Sequence, residues 1–330
     1  MKLKTLQDAI IYFSDPVNCR KYLVANRWPD GVVCPHCGSK DVLFLEKYNR
    51  WHCRAKHDAP QFTLKTGTVM EDSPIGLDKW LPAFWLLSNC RNGISSYELH
   101  RALGVTQKSA WFMLHRIRLA MKAKGFVKMG GSGSEIETDE CYMGGKDGNK
   151  HLSKRVQLRR FQNSVEMKGS SKLVTKTAVM GMLDRQQGKV HAQVVPAVNR
   201  RELRSAILNH VLPGSMIYTD QAGLYRSLPP TVTHEFVNHL KEYVRGRVHT
   251  NGIENFWSLL QRAVGGTYIS VESFHLDRYL DEQVFRFNHR KDRRGNKTPD
   301  ADRFSLAVEQ IVGKRLTYAQ LTGKVGETQN

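Results

Sequence analysis

The chain has 330 residues, and its 50 Lys and Arg against 31 Asp and Glu give a formal net charge of +19. This surplus favours a polyanionic partner such as nucleic acid, and the length predicts roughly two or three domains with cores, which argues against a small basic protein of the ribosomal kind. No apolar run approaches the ~20 residues of a membrane span, and no signal peptide is found. We therefore expect a cytoplasmic, nucleoid-associated protein without a membrane partner.

Changes in residue pattern divide the chain into six segments. A helical pattern breaks at Asp15-Pro16 and resumes, and a Gly/Ser-rich stretch from Lys124 to Ser134 is typical of a flexible link. The predicted segments are an N-terminal helical segment (1–30), a zinc ribbon (31–70), a helix-turn-helix region (71–124), a linker (125–134), a catalytic domain (135–295) and a basic C-terminal tail with short helices (296–330).

Cysteine and histidine cluster in the second segment. Three of the chain's six cysteines fall within twenty residues, which is unlike a secreted disulfide framework. Two short-spaced pairs on separate turns can form a tetrahedron around one structural Zn²⁺. The alternatives are a redox Cys-x-x-Cys motif and unligated loop cysteines. The natural ligand set is Cys34, Cys37, Cys53 and His57, with His36 and His52 near enough to substitute.

Residues 94–121 have the layout of a DNA-reading helix-turn-helix. Ser95 and Glu98 form a capping box, and Gly104 permits the turn before a polar and basic second helix. An ordinary helical hairpin is the alternative. The side chains predicted to face DNA are Gln107, Lys108, Trp111 and Arg118, with His115 on the same arc.

Beyond the linker, strand and helix patterns alternate. The segment 177–195 predicts a hairpin around Gln186-Gln-Gly188. The order of elements predicts an α/β fold with a central mixed sheet. The predicted strands are 135–142, 174–184, 189–196 and 215–220, and the predicted helices are 199–211, 251–264 and 272–288.

Three acidic residues stand at positions suited to a two-metal phosphodiester enzyme. Asp139 and Asp220 close strand-like runs, and Glu254 lies in an amphipathic helix. Such carboxylates can hold a pair of hard cations at the edge of a sheet. Solvated surface acids are the alternative, and the alternation around Asp139 leaves open which of its neighbours share its face. The polar stripe of the helix comprises Asn251, Glu254, Ser258 and Gln261, beside a buried stripe of Ile253, Phe256, Trp257, Leu260 and Ala263.

Basic residues surround these acids. The stretch 245–250 leads into the acidic helix with Arg245 and Arg247, and the insert 146–173 follows the first acidic strand. A solvated charged loop and a DNA clamp are both compatible with the insert, and we expect a clamp. Its candidate phosphate contacts are Lys154, Arg155, Arg159 and Arg160.

Several motifs together resemble a bacterial insertion-sequence transposase with an N-terminal zinc ribbon and an RNase H-like DDE (ISXO2-like) catalytic domain. The matching stretches are Cys34-Pro-His-Cys37, Gln61-Phe-Thr-Leu-Lys-Thr-Gly-Thr68, Gly104-Val-Thr-Gln-Lys-Ser-Ala-Trp111, Thr138-Asp-Glu-Cys-Tyr-Met-Gly-Gly-Lys146, Tyr218-Thr-Asp220, His249-Thr-Asn-Gly-Ile-Glu-Asn-Phe-Trp-Ser258 and Phe285-Arg-Phe-Asn-His-Arg290. The resemblance covers nearly the whole chain.

The resemblance implies that Asp139, Asp220 and Glu254 are catalytic and bind two Mg²⁺ or Mn²⁺, with Asn251 as an alternate ligand. Two positions depart from the family pattern. Gln261 replaces a common lysine, and Lys56 stands where a fourth cysteine is common, so His57 is the replacement ligand.

The implied activity is cleavage of transposon ends and strand transfer into double-stranded target DNA, by at least a homodimer. The alternatives are a non-catalytic DNA-binding regulator and a metal-dependent nuclease without strand transfer.

Overall fold

The computed structural model describes residues 3–123, 125, 128–144, 152–153, 156, 176–220, 223–225, 228–237, 245–292 and 294–324. By its internal contacts the chain forms two compact units, Met1–Lys124 with His289–Asn330, and Gly125–Asn288. Within the described residues, no helix is long and apolar enough to cross a membrane.

The first unit begins with two capped helices, α1 (Leu6–Phe13) and α2 (Pro16–Arg27). The predicted break between them is confirmed. Asp15 is the N-cap of α2 and accepts from Val17 N, and Pro16 occupies the first helical position, where its missing N–H costs nothing.

A small antiparallel sheet follows, made of β1 (Val42–Leu45), β2 (Arg50–Cys53) and β3 (Gln61–Phe62) in the order β1-β2-β3. Its core is aromatic, because Trp51 stacks on Phe62 with ring centroids 5.9 Å apart. So few apolar residues bury little surface, which is typical of a domain that needs a metal for stability.

Three helices continue this unit, α3 (Leu77–Asn89), α4 (Ser96–Leu103) and α5 (Gln107–Met121). The predicted capping box between Ser95 and Glu98 is present at the start of α4. Gly104 ends α4 in the left-handed conformation with a φ of 64°, which a glycine adopts without strain. The predicted pair of helices joined by a Gly turn is confirmed.

The second unit is built on a five-stranded mixed sheet in the order β10-β9-β5-β6-β7. β5 pairs antiparallel with β6, and β6 with β7, whereas β9 pairs parallel with β5 and β10 parallel with β9. This order confirms the expected central mixed sheet. The strands are β4 (Met129–Gly130), β5 (Glu135–Met143), β6 (Thr177–Asp184), β7 (Lys189–Val195), β8 (Val211–Leu212), β9 (Met216–Thr219) and β10 (Thr233–Phe236), and β4 pairs parallel with β8.

Helices cover both faces of this sheet. α6 (Arg200–His210) packs with Ile136 of β5 on one face. On the other face, α7 (Asn251–Arg262), which continues into a π-helical turn (Ala263–Tyr268), and α8 (Leu276–Asn288) pack with Cys141 of β5. Odd-numbered and even-numbered residues of β5 therefore serve different cores, as strand geometry requires.

The C-terminal residues join the first unit rather than forming a separate tail. α9 (Asp300–Glu309) packs Phe304 against Tyr22, with ring centroids 5.5 Å apart. Before α10 (Tyr318–Leu321), Lys314 Nζ donates to Ala120 O at 2.7 Å and Arg116 Nε donates to Leu316 O at 3.1 Å. The C-terminal segment is thus tied by hydrogen bonds to α5.

Candidate metal centre and active site

The four predicted zinc ligands lie together in the ribbon. Their ligand atoms, Sγ of Cys34, Cys37 and Cys53 and a ring nitrogen of His57, all lie within 4.8 Å of one another. Cys34 Sγ is 3.5 Å from His57 Nε2, and Cys37 Sγ is 3.6 Å from Cys53 Sγ. A tetrahedron with Zn–S of ~2.3 Å and Zn–N of ~2.0–2.1 Å requires roughly 3.6 Å and 3.8 Å for these two edges. The donor set and its dimensions fit Zn²⁺.

The alternative histidines do not enter this cluster. The ring of His36 lies 5.9 Å from that of His57, and His52 is a residue of β2 whose neighbour Cys53 supplies the ligand. Adjacent residues of a strand point to opposite faces, so His52 and Cys53 cannot both point into the same centre.

Strand β5 presents Glu137, Asp139 and Cys141 to helix α7, which settles the face that the sequence left open. Two residues of a strand advance ~6.8 Å and four residues of a helix ~6 Å. Every second residue of β5 therefore lies beside every fourth residue of α7. Three hydrogen bonds join them in order, from Ile253 N to Glu137 Oε2 (2.9 Å), from Trp257 Nε1 to Asp139 Oδ2 (2.9 Å) and from Gln261 Nε2 to Cys141 Sγ (3.4 Å).

Gly181 allows helix α7 to approach the sheet this closely. It lies opposite Asp139 in the pairing of β5 with β6. A Cβ at Gly181 would lie 2.5 Å from the Trp257 ring and 2.9 Å from Ile253 Cδ1. The space of the missing side chain is therefore filled by the indole that donates to Asp139.

The three predicted acids come from three elements of this unit. Asp220 directly follows β9, as expected, and Glu254 is in the first turn of α7. The expectation that Asp139 closes its strand is wrong, because β5 continues to Met143 through its pairing with β6. Burial, followed by the negative charge of Asp220 and with a smaller contribution from Glu254, raises the pKa of Asp139 to about 6. Glu254 is exposed, and Thr250 Oγ1 donates to its Oε1 at 2.8 Å.

These acids fit hard divalent cations by their chemistry, because their oxygens are the preferred ligands and their mutual repulsion is what a cation relieves. They are less tightly gathered than the zinc ligands. Among the described residues, only the ribbon group brings three or more such ligand atoms within 4.8 Å of one another. Asn251, the alternate ligand, is exposed at the first position of α7.

Sequence reasoning missed a further acid beside this site, Glu140. It points to the opposite face of β5, where the buried Tyr225 hydroxyl donates to its Oε1. Burial is the main cause that raises the pKa of Glu140 to about 7, and the charges of Asp139 and Asp220 add to it. Tyr225 lies 85 residues after Glu140 in the chain, so no local sequence signal could have revealed this contact.

The predicted DNA contacts on α5 are only partly at the surface. Lys108 is exposed, with its ammonium 4.5 Å from the centre of the Tyr318 ring, and Gln107 Nε2 donates to Ser96 Oγ at 2.8 Å. Trp111 is half-buried. Arg118, however, is 1% exposed, so its prediction as a DNA contact is not supported. Every residue from 113 to 118 is buried, so the polar arc inferred from helical spacing ends after the first turns.

The basic residues before α7 are exposed. Arg245 Nη2 donates to Phe236 O at 3.0 Å, and Arg247 pairs with Glu135 at 2.9 Å while its side chain stays 82% exposed. The predicted clamp residues Lys154, Arg155, Arg159 and Arg160 lie outside the described residues.

Family models match the two parts of the chain that carry these sites. Residues 130–288 match the ISXO2-like transposase domain, and residues 15–55 match the transposase zinc-ribbon domain. The first match contains all three acids, and the second contains the three cysteine ligands and ends just before His57.

Individual proteins are also similar. An uncharacterized protein in transposable element ISH50 of Halobacterium salinarum is 28% identical over 240 residues, which cover 72% of this chain and 79% of that protein. An uncharacterized transposase-like protein of Haemophilus influenzae is 32% identical over 102 residues, 31% of this chain and 82% of that protein.

Among solved structures, the catalytic core domain of BIV integrase gives a TM-score of 0.30 at 12% identity. The match covers 49% of this chain and 89% of the integrase chain. A simian T-cell lymphotropic virus intasome in complex with the PP2A regulatory subunit B56 gamma gives a TM-score of 0.26 at 16% identity. That match covers 58% of this chain and 60% of the other. The sequence matches are decisive, and the chain belongs to the family of ISXO2-like transposases with a transposase zinc ribbon.

Proposed function

We propose that this protein is a DDE transposase that binds the ends of its insertion sequence and catalyses metal-dependent DNA strand cleavage and strand transfer. The observation that carries the proposal is the electrostatic coupling of Asp139 to Asp220 and Glu254, which contributes to the raised pKa of Asp139. Acids that repel one another are costly unless a cation or a proton compensates them.

Asp139, Asp220 and Glu254 would hold two Mg²⁺ or Mn²⁺ ions, with Asn251 as an alternate ligand. When bound, such ions supply an activated water and stabilise charge on the leaving 3′-oxygen of a phosphodiester. Trp257 orients the Asp139 carboxylate through its 2.9 Å hydrogen bond, and Thr250 orients that of Glu254 at 2.8 Å. Each of these two contacts engages one oxygen of its carboxylate.

DNA would be held by the basic surfaces of the chain, whose net charge is +19. Gln107, Lys108 and Trp111 on α5 are the proposed reading residues, and Arg245 and Arg247 are the proposed backbone contacts beside α7. The predicted clamp 146–173 remains part of the proposal. Strand transfer joins two element ends to one target, so we propose at least a homodimer on DNA. The ribbon would hold one structural Zn²⁺.

The test is cleavage of a duplex that carries the terminal inverted repeat flanking the coding sequence, in Mg²⁺ or Mn²⁺. We expect Asp139→Asn, Asp220→Asn and Glu254→Gln to bind this duplex as the wild type does and to lose cleavage and strand transfer by at least ~100-fold. Asp277→Asn is the control, because Asp277 is an exposed acid of α8 in the same unit.

Normal cleavage by any of the three variants would remove that residue from the proposed site. Wild-type protein that binds the ends and cleaves nothing would instead favour the DNA-binding regulator. Cleavage without joining to a target duplex would favour the nuclease.

A further inference from the structure

Arg185 lies in the turn between β6 and β7 and contacts β5. Its Nε donates to Glu137 Oε1 at 2.7 Å, and its Nη1 donates to Glu135 Oε2 at 3.1 Å. The side chain of Glu137 is 2% exposed and that of Arg185 is 15% exposed. Charge-assisted hydrogen bonds in such shielded surroundings are short and directional. Glu137 lies two residues before Asp139 on the same face of β5, so this contact fixes the strand beside the first acid.

The same guanidinium holds the segment that leads into α7. Arg185 Nη1 donates to Arg247 O at 2.6 Å, and Nη2 donates to His249 O at 2.8 Å. The other oxygen of Glu137, Oε2, accepts from Ile253 N at 2.9 Å in the first turn of α7. A carboxylate at this end of a helix satisfies a free N–H and complements the helix dipole. Ile253 precedes Glu254, so the pair also fixes the helix that carries the third acid.

Arg185 reaches the third element as well. Its Cζ lies 4.7 Å from the centre of the Tyr218 ring in β9, the stacking distance of a cation–π contact. Tyr218 lies two residues before Asp220, which directly follows β9. One arginine from the turn between β6 and β7 thus contacts β5, β9 and the segment that leads into α7.

We propose that Arg185 and Glu137 are positioning residues that set the relative spacing of Asp139, Asp220 and Glu254 and so tune their affinity for divalent cations. This inference rests on the proposed function. A lysine cannot replace Arg185, because one ammonium has neither the planar fork nor the number of donors to serve three elements at once. The substitution Glu137→Gln would keep the shape of the side chain but lose the charge that holds the guanidinium and the helix.

An ordinary structural ion pair is the alternative, and it would affect unfolding alone. The experiment therefore compares Arg185→Lys and Glu137→Gln with wild type by Mn²⁺ titration calorimetry on the full chain without DNA. The Asp139→Asn variant should lack the proposed site, so the heat that it still gives measures Mn²⁺ binding elsewhere on the protein. The control is Arg278→Lys, because Arg278 pairs at 2.8 Å with Asp281, three residues further along α8 of the same unit. For each variant we would also measure the unfolding temperature, the binding of transposon ends and the dependence of cleavage on Mn²⁺ concentration.

We expect both variants to fold and bind ends, to raise the Mn²⁺ dissociation constant by about 10–100-fold and to shift half-maximal cleavage by a similar factor, as loss of a ligand-orienting partner does. Arg278→Lys should leave the Mn²⁺ affinity unchanged. Variants with wild-type Mn²⁺ affinity would overturn the positioning role, whether or not their unfolding temperature falls. If wild type binds no more Mn²⁺ than Asp139→Asn, the proposed function and this inference both fail.

Discussion

The indole N–H of Trp257 donates to Oδ2 of Asp139 across 2.9 Å, from the buried side of α7 to the facing side of β5. This contact joins the helix that carries Glu254 to the strand that carries Asp139. It also lowers the pKa of an acid that burial and neighbouring charge otherwise raise. Trp257 therefore links packing to electrostatics at the proposed active site.

Replacing Trp257 by Phe should destabilise the protein chiefly through Asp139. A hydrogen bond to a charged group contributes roughly 1.5–3 kcal/mol, and the smaller ring adds a cavity cost. The test is a double-mutant cycle of Trp257→Phe with Asp139→Asn, measured by denaturant unfolding at pH 8 in chelator. The cavity cost is the same with Asp or Asn at position 139, so it cancels in the cycle. A favourable coupling of at least ~0.5 kcal/mol is expected. The amide of the Asp139→Asn variant can still accept from the indole, so a coupling of zero would mean that the charge of Asp139 adds nothing to this bond in solution.

Stability without metal should depend on pH through Asp139. Its folded-state pKa of about 6 lies above the ordinary value of 3.8, so the folded state holds this proton more tightly. The protein consequently loses stability as pH rises from about 4 to about 6, by up to ~3 kcal/mol. Asp139→Asn lacks this loss and should be more stable than wild type at pH 8 in chelator, but not at pH 3.5. A variant less stable than wild type at pH 8 would contradict the prediction.

A methyl group at Gly181 should push α7 away from the sheet. The added Cβ would lie against the Trp257 ring, so we expect Gly181→Ala to cost about 1–3 kcal/mol of unfolding free energy. Cleavage should fall further than end binding, since Glu254 moves with the helix. Gly223→Ala is the matched control, because nothing in the described part of the chain lies within 4 Å of a Cβ there. Equal effects of the two substitutions would show that the contact is unimportant.

Zinc binding should distinguish the histidines of the ribbon. His57→Ala should lower the zinc affinity by more than ~100-fold, because losing a ligand costs more than losing a partner that orients one. His57→Cys should retain zinc, and His36→Ala should bind it as wild type does. Competition with a chromophoric chelator measures all three. If His36→Ala loses zinc and His57→Ala retains it, His36 is the fourth ligand and His57 is not.

Two basic residues of α5 should respond differently to alanine. Lys108→Ala should weaken end binding and reduce the slope of log affinity against log salt by about 0.9, without changing the unfolding temperature. Arg118→Ala should lower the unfolding temperature instead, because that side chain is 1% exposed. Gel-shift titrations at several salt concentrations and thermal melts test both. If Arg118→Ala instead weakens end binding without changing the unfolding temperature, Arg118 is a DNA contact after all.

Local patterns in the sequence were sufficient for most elements. The capping box at Ser95, the Gly104 turn, the hairpin near Gly188 and the amphipathic pattern of α7 all gave correct elements, because backbone preference and hydrophobic periodicity act over a few residues. The short strand β10 was missed. Four residues, Thr233–Phe236, carry too little pattern to distinguish a strand from a loop.

The sequence by itself determined which residues could carry chemistry: three cysteines and a histidine at ligand spacing, and three acids in two strand patterns and one helix pattern. Only the tertiary structure decided how they are arranged. Four features depend on residues distant in the chain: the burial of Arg118, the face of β5 that meets α7, the contact of Tyr225 with Glu140, and the contacts of Arg185 with β5, β9 and the segment before α7. Spacing along a chain constrains neighbours, whereas packing brings together residues that no local pattern relates.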